Sequence, residues 1–214
     1  SIALGARSAL LADLADLDER RAKLSRQKAR AIVEDAQAIL TAGGVEAVTT
    51  RVMNGDLVET LSEVEKDAEL LVIGKRGEGA DFAKLHLGSN LERVVRSSKR
   101  PVFVAARGFA PISTVLVAFD GGPSAVKAVD YIATSAIFAG LSIRLLTVGN
   151  ESGDAWAKLE SAKAKLTAAG LDVTAEIKAG QPETVISQAV ERDGIDLLVM
   201  GAYGHSRIRS LFIG

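Results

Sequence analysis

Hydrophobic and polar positions follow two rhythms along this chain. Thr114–Asp120 (TVLVAFD), Leu141–Gly149 (LSIRLLTVG) and Ile195–Gly201 (IDLLVMG) are short runs rich in Val, Ile and Leu, the mark of buried strands. Between them the apolar positions take a helical period. Val126, Val129, Ile132 and Ala133 predict a helix over Ser124–Gly140, with Pro123 in its first turn and Gly140 as its stop. Helices over Asp154–Gly170 and Pro182–Gly194, and an alternating strand over Asp172–Lys178, complete the order β-α-β-α-β-α-β. That order implies a parallel sheet with helices on both faces.

The same rhythm occurs earlier in the chain. Gly44–Gly77 and Gly170–Gly204 each run through a glycine, an alternating strand, a turn glycine (Gly55 or Gly180), an amphipathic helix, an apolar strand and G-x-x-G. Two tandem copies of one domain are therefore expected, over residues 1–110 and 111–214. In the first copy, Glu19–Gly44 reads as a helix with its stop, while residues 6–18 are rich in Leu, Asp and Ala and fit no single element. Counterparts of the first strand, first helix and second strand are missing from it. It carries instead a short helix marked by Leu91, Val94 and Val95, and a strand Val102–Ala105 opened by Pro101. The copies read as complementary fragments of one plan, trimmed at both ends.

Composition narrows the function. Lys plus Arg number 26 against 27 Asp plus Glu, so no basic excess suits a nucleic-acid backbone. The absence of Cys removes disulfides, thiolate nucleophiles and most structural zinc sites, and the only two histidines, His86 and His205, are far apart. No apolar run is long enough to span a bilayer, and the first residues do not form a secretory signal. The expectation is a soluble, cytoplasmic protein that engages neither membrane nor nucleic acid.

Candidate chemistry lies in the loops after the strands. In an open parallel sheet, ligands bind beyond the carboxyl ends of the strands, where the strand order reverses. The last apolar strand is followed by Gly201, Gly204, nine further residues and Gly214. Glycines let backbone N–H groups approach a phosphate closely and accept positive φ. Asp120 ends the apolar run Thr114–Asp120. No nucleophile–base pair, carboxylate dyad or Walker-type lysine stands out, so no catalytic residue and no metal ligand set is assigned.

With this glycine spacing, strand context and repeat, nearly the whole chain resembles two tandem domains of the universal stress protein family. The family's nucleotide-binding members carry G-x2-G-x9-G-[S/T] after the fourth strand, and the Gly201, Gly204 and Gly214 spacing matches it. The resemblance implies two doubly wound α/β domains of the adenine nucleotide alpha hydrolase-like kind. They would pack as a pseudo-dimer, with the Val102–Ala105 strand at the interface and a homodimer as a further assembly. It implies ATP, alone or with Mg²⁺, as ligand: Asp120 at the adenosine, Val148 against the adenine ring, and Met200, Gly201, Tyr203, Gly204, His205 and Gly214 along the ribose and phosphates. The first copy departs from the pattern. Gly74 and Gly77 are followed by ten residues before Gly88 and Ser89, one more than in the second copy, and Glu78 stands where the second copy has His205. A carboxylate there opposes a phosphate unless Lys75, Arg76 or a metal offsets it. Two alternatives remain beside an ATP-binding stress-response protein: an interaction module that dimerises without nucleotide, and a slow ATP hydrolase.

Overall fold

The computed structural model describes residues 4–74, 89–106 and 108–201. The chain forms two compact units, Ser1–Asp56 and Leu57–Gly214.

The first unit is built on helix α1, Leu4–Ala42, of 39 residues. Residues 6–18 are part of it. Their Ala, Leu and Arg are strong helix formers, and Arg20 pairs with Asp16 one turn earlier at 2.8 Å. Gly43 and Gly44 stop the helix. Gly44 takes φ +91°, and the Val45 N–H returns to the Leu40 carbonyl at 3.0 Å, satisfying an end carbonyl. The strand expected after Gly44 is not formed: residues 45–54 have no strand geometry. The reason lies in the partner. The corresponding strand of the second repeat is bonded to a neighbouring strand, and none lies beside residues 45–54 among the described residues. An extended segment without a neighbour leaves its N–H and C=O groups unpaired.

The second unit opens with α2 (Leu57–Val64), a single 3₁₀ turn over Glu65–Asp67, β1 (Leu71–Gly74), α3 (Ser89–Ser97) and β2 (Val102–Ala105). β1 and β2 run parallel, with Leu71 opposite Val102 and Gly74 opposite Ala105. Leu91 and Val94 of α3 are buried, as their spacing predicts. Glu65 is also buried, and its carboxylate accepts from Ser98 Oγ at 2.7 Å and from the Lys99 N–H at 3.3 Å. Arg100 donates to the carbonyls of Glu65 and Lys66, at 3.1 and 2.7 Å. This clip fixes the turn that leads from α3 into β2.

The rest is the four-stranded layer. Its elements are β3 (Thr114–Ala118), α4 (Pro123–Thr134), β4 (Ser142–Val148), α5 (Gly153–Ala168), β5 (Asp172–Lys178), α6 (Pro182–Arg192) and β6 (Leu197–Met200). All pairings are parallel, and the strand order is β5-β4-β3-β6. Both faces are covered, which is why the strands read as continuous apolar runs. Val115, Val117, Ile143 and Leu145 pack with Val129, Ile132, Leu159 and Leu166 of α4 and α5. Leu116 and Leu146 pack with Ile186 and Ala189 of α6.

Two details differ from the periodicity. The helix over Ser124–Gly140 breaks at Ser135, which is extended (ψ 124°), and resumes as a 3₁₀ turn over Ala136–Phe138. The break lets Phe138 bury its ring edge-on to Tyr131, with centroids 6.2 Å apart. The inward stripe of α4 also runs through Ala125, Val129 and Ile132, at i−4, i and i+3, so Val126 faces outward at 43% exposure.

Candidate functional site

The connection from β3 leads to β4 on one side, whereas β6 returns to the other side of β3. The order therefore reverses between β3 and β6, and in open parallel sheets ligands bind at the carboxyl ends of such a strand pair. Ala118 is paired with Met200, so Asp120, two residues on, and Gly201, one residue on, share that rim.

Asp120 is held by its own loop. Its Oδ1 accepts the Gly122 N–H at 2.8 Å, an Asx turn that leads into α4. Its Oδ2 has no hydrogen-bond partner among the described residues. Gly121, at φ +73°, makes the left-handed step between them, and a Cβ there would lie 2.9 Å from Lys158 Cδ. Gly201 is required on a different ground. A Cβ on it would come 2.7 Å from the Cβ of Ser124 at the start of α4. The first glycine of the G-x-x-G spacing thus lets the chain leave β6 flush against α4.

The loop is braced from β4. Thr147 Oγ1 donates to the Phe119 carbonyl at 2.7 Å, and the Phe119 N–H reaches the Leu146 carbonyl at 2.9 Å. Val148 ends β4 opposite Lys178, and its side chain packs on the Leu116–Leu146 side of the sheet.

Asp120, Met200 and Gly201 thus share the carboxyl ends of β3 and β6, with Val148 two strands from β6 along the same rim. Tyr203, Gly204, His205 and Gly214 lie outside the described residues, as do Gly77, Glu78 and Gly88. Gly74 closes β1 opposite Ala105, and Ser89 is the first residue of α3. The sequence reading missed Ser124, Thr147 and Lys158. Lys158 did carry a signal, an i,i+4 pair with Asp154, but its seat over Gly121 joins two segments far apart in the chain. Among the described residues no three or more His, Asp or Glu gather as a metal site would need, and no helix is long and apolar enough to cross a membrane.

The family model described as the universal stress protein family matches residues 5–106 and 149–214. A universal stress protein of Synechocystis sp. is 40% identical over 216 aligned positions, which span 100% of this chain and 75% of that relative. A universal stress protein of Mycobacterium tuberculosis is 24% identical, over 87% of this chain and 67% of its own length. Among solved structures, a universal stress protein from Archaeoglobus fulgidus superposes with a TM-score of 0.68. It is 23% identical, over 88% of this chain and 70% of that one, and shares the fold.

Proposed function

The chain belongs to the universal stress protein family, and from that premise we propose that its second repeat binds an adenine nucleotide as a structural or regulatory ligand. The observation that carries the reading is the meeting of Asp120 and Gly201 on one rim, where the strand order reverses. Asp120 Oδ2, which has no hydrogen-bond partner among the described residues, is an acceptor suited to the hydroxyls or amino group of adenosine. The close seat of Gly201 against Ser124 starts the segment that holds Gly204, His205 and Gly214, read as the phosphate loop for ATP. Residues 1–110 and 111–214 are read as the two domains. Gly74, Gly77, Gly88 and Ser89 are read as a second site of lower affinity, because the spacing from Gly77 to Gly88 is one residue longer and Glu78 sets a carboxylate against a phosphate.

Calorimetric titration of the protein with ATP, ADP and adenosine tests the reading. Binding is expected, weakened about tenfold or more in Asp120→Ala and in Gly204→Val. No affinity for any of the three in the wild type would sink it. One observation favours the second reading, an interaction module without nucleotide: the outer edge of β2 has no strand beside it among the described residues. Self-association without nucleotide affinity would be its outcome.

A further inference from the structure

The rim carries a carboxylate, and a phosphorylated ligand needs a cation near it. Asp120 attracts hydroxyl and amino donors but repels an anion. Among the described residues, the stem of Lys158 lies against the loop that holds Asp120. Helix α5 begins just after the carboxyl end of β4, so its first turn lies on the same rim. Helical side chains lean toward the N-terminus, and Lys158, in the second turn, therefore reaches back toward that rim. Its stem lies over Gly121, the residue after Asp120: Cδ, Cβ and Cγ would stand 2.9, 3.7 and 3.8 Å from a Cβ placed there. Its ammonium pairs with Asp154 Oδ2 at 2.7 Å.

We propose that Lys158 is a positioning cation of this site, which favours phosphorylated adenine ligands over the neutral nucleoside by offsetting Asp120. This rests on the nucleotide reading above and goes beyond it by naming a residue that reads ligand charge. Asp154 is the holding partner. The two side chains are 54% and 76% exposed, so their pairing is weakly held and exchanges readily for a ligand phosphate. Lys178, at the end of β5 on the same rim, is engaged with Glu176 at 3.3 Å. Gly121 serves the same arrangement: any side chain there would be strained at φ +73° and would push the Lys158 stem off the loop.

The test compares ligand charge. Lys158→Met keeps an apolar stem on Gly121 and removes the ammonium. It is expected to weaken ATP and ADP binding about fivefold, the scale of one exposed charge pair, and to leave adenosine within about twofold. Lys158→Arg should restore the ATP affinity, and the Met variant should lose part of the salt dependence of ATP binding. Equal losses for all three ligands would mark Lys158 as merely structural and overturn the proposal, as would no loss for any. Those results leave wild-type binding intact, whereas a wild type that binds none of the three removes the nucleotide reading and this proposal together.

Discussion

Asp196, at the entry to β6, carries its structural role on one oxygen. Oδ2 accepts from the N–H and hydroxyl of Ser113, at 2.9 and 2.8 Å, and from the Thr114 N–H at 3.0 Å, tying β6 to the start of β3. The backbone N–H groups of Ser113 and Thr114, with the Ser113 hydroxyl, hold its pKa below the usual carboxylate value. A depressed folded pKa means that the stabilisation is present above the unfolded value and is lost as pH falls through the folded one. Asp196→Asn is therefore expected to be less stable than wild type at neutral pH, with the gap narrowing below about pH 4. Urea midpoints at neutral and acidic pH measure it, and a gap unchanged by pH would assign the effect to shape rather than charge. Asp196 and Asp120 also mark what single residues disclose. Asp120 and Gly201 were legible because each stands where an apolar run ends, and a parallel sheet makes strand ends the place for chemistry. Ser124, Thr147 and Lys158 were not, because their meaning comes from contacts across the β3–α4 turn that no local spacing encodes.

The two repeats place similar elements in different surroundings, and that sets the value of the same side chain. Aligning Gly44 with Gly170 makes Leu40 of α1 the counterpart of Leu166 of α5. Leu166 is 0% exposed beneath α5 and packs against the sheet, whereas Leu40 is 46% exposed. Leu166→Ala should cost about 2–5 kcal/mol, since it removes apolar burial and leaves a cavity. Leu40→Ala should cost no more than about 0.5 kcal/mol, the range of surface substitutions. Chemical denaturation of both variants checks the contrast, and equal costs would mean that α1 is covered in solution as α5 is. The same comparison explains which elements the pattern disclosed. β3 to β6 and α4 to α6 form where expected because each strand has a neighbour and each helix a sheet face. Residues 45–54 carry a similar alternation and form no strand, because alternation specifies a face only when a neighbouring strand supplies hydrogen bonds. The break of α4 at Ser135 was hidden for a related reason: burial of Phe138 against Tyr131 outweighs continuing a helix through Gly140.

Across the molecule, protection against exchange should follow the same division. In β3 and β4 the amides lie in the middle of four strands, beneath helices, and Val115, Leu116, Val117 and Leu145 are wholly buried. Opening them requires breaking the core, so their exchange should report the global stability of that layer. The amides of α1 are held by the helix alone, and among its described side chains none is buried. Helices are stabilised mainly by tertiary packing, so residues 4–56 should exchange far faster than β3 and β4. Hydrogen exchange read by mass spectrometry on the protein, with and without ATP, separates fold from site. Without ligand, protection as strong over residues 4–56 as over β4 would mean that the first unit is buried by contacts of its own kind in solution. With ATP, added protection is expected over residues 118–124, around Val148 and Lys158, and at 198–201, because these segments form the rim. Residues 4–56 should not respond. Nucleotide-dependent protection confined to residues outside the rim would move the ligand away from Asp120 and Gly201 while leaving the fold assignment untouched.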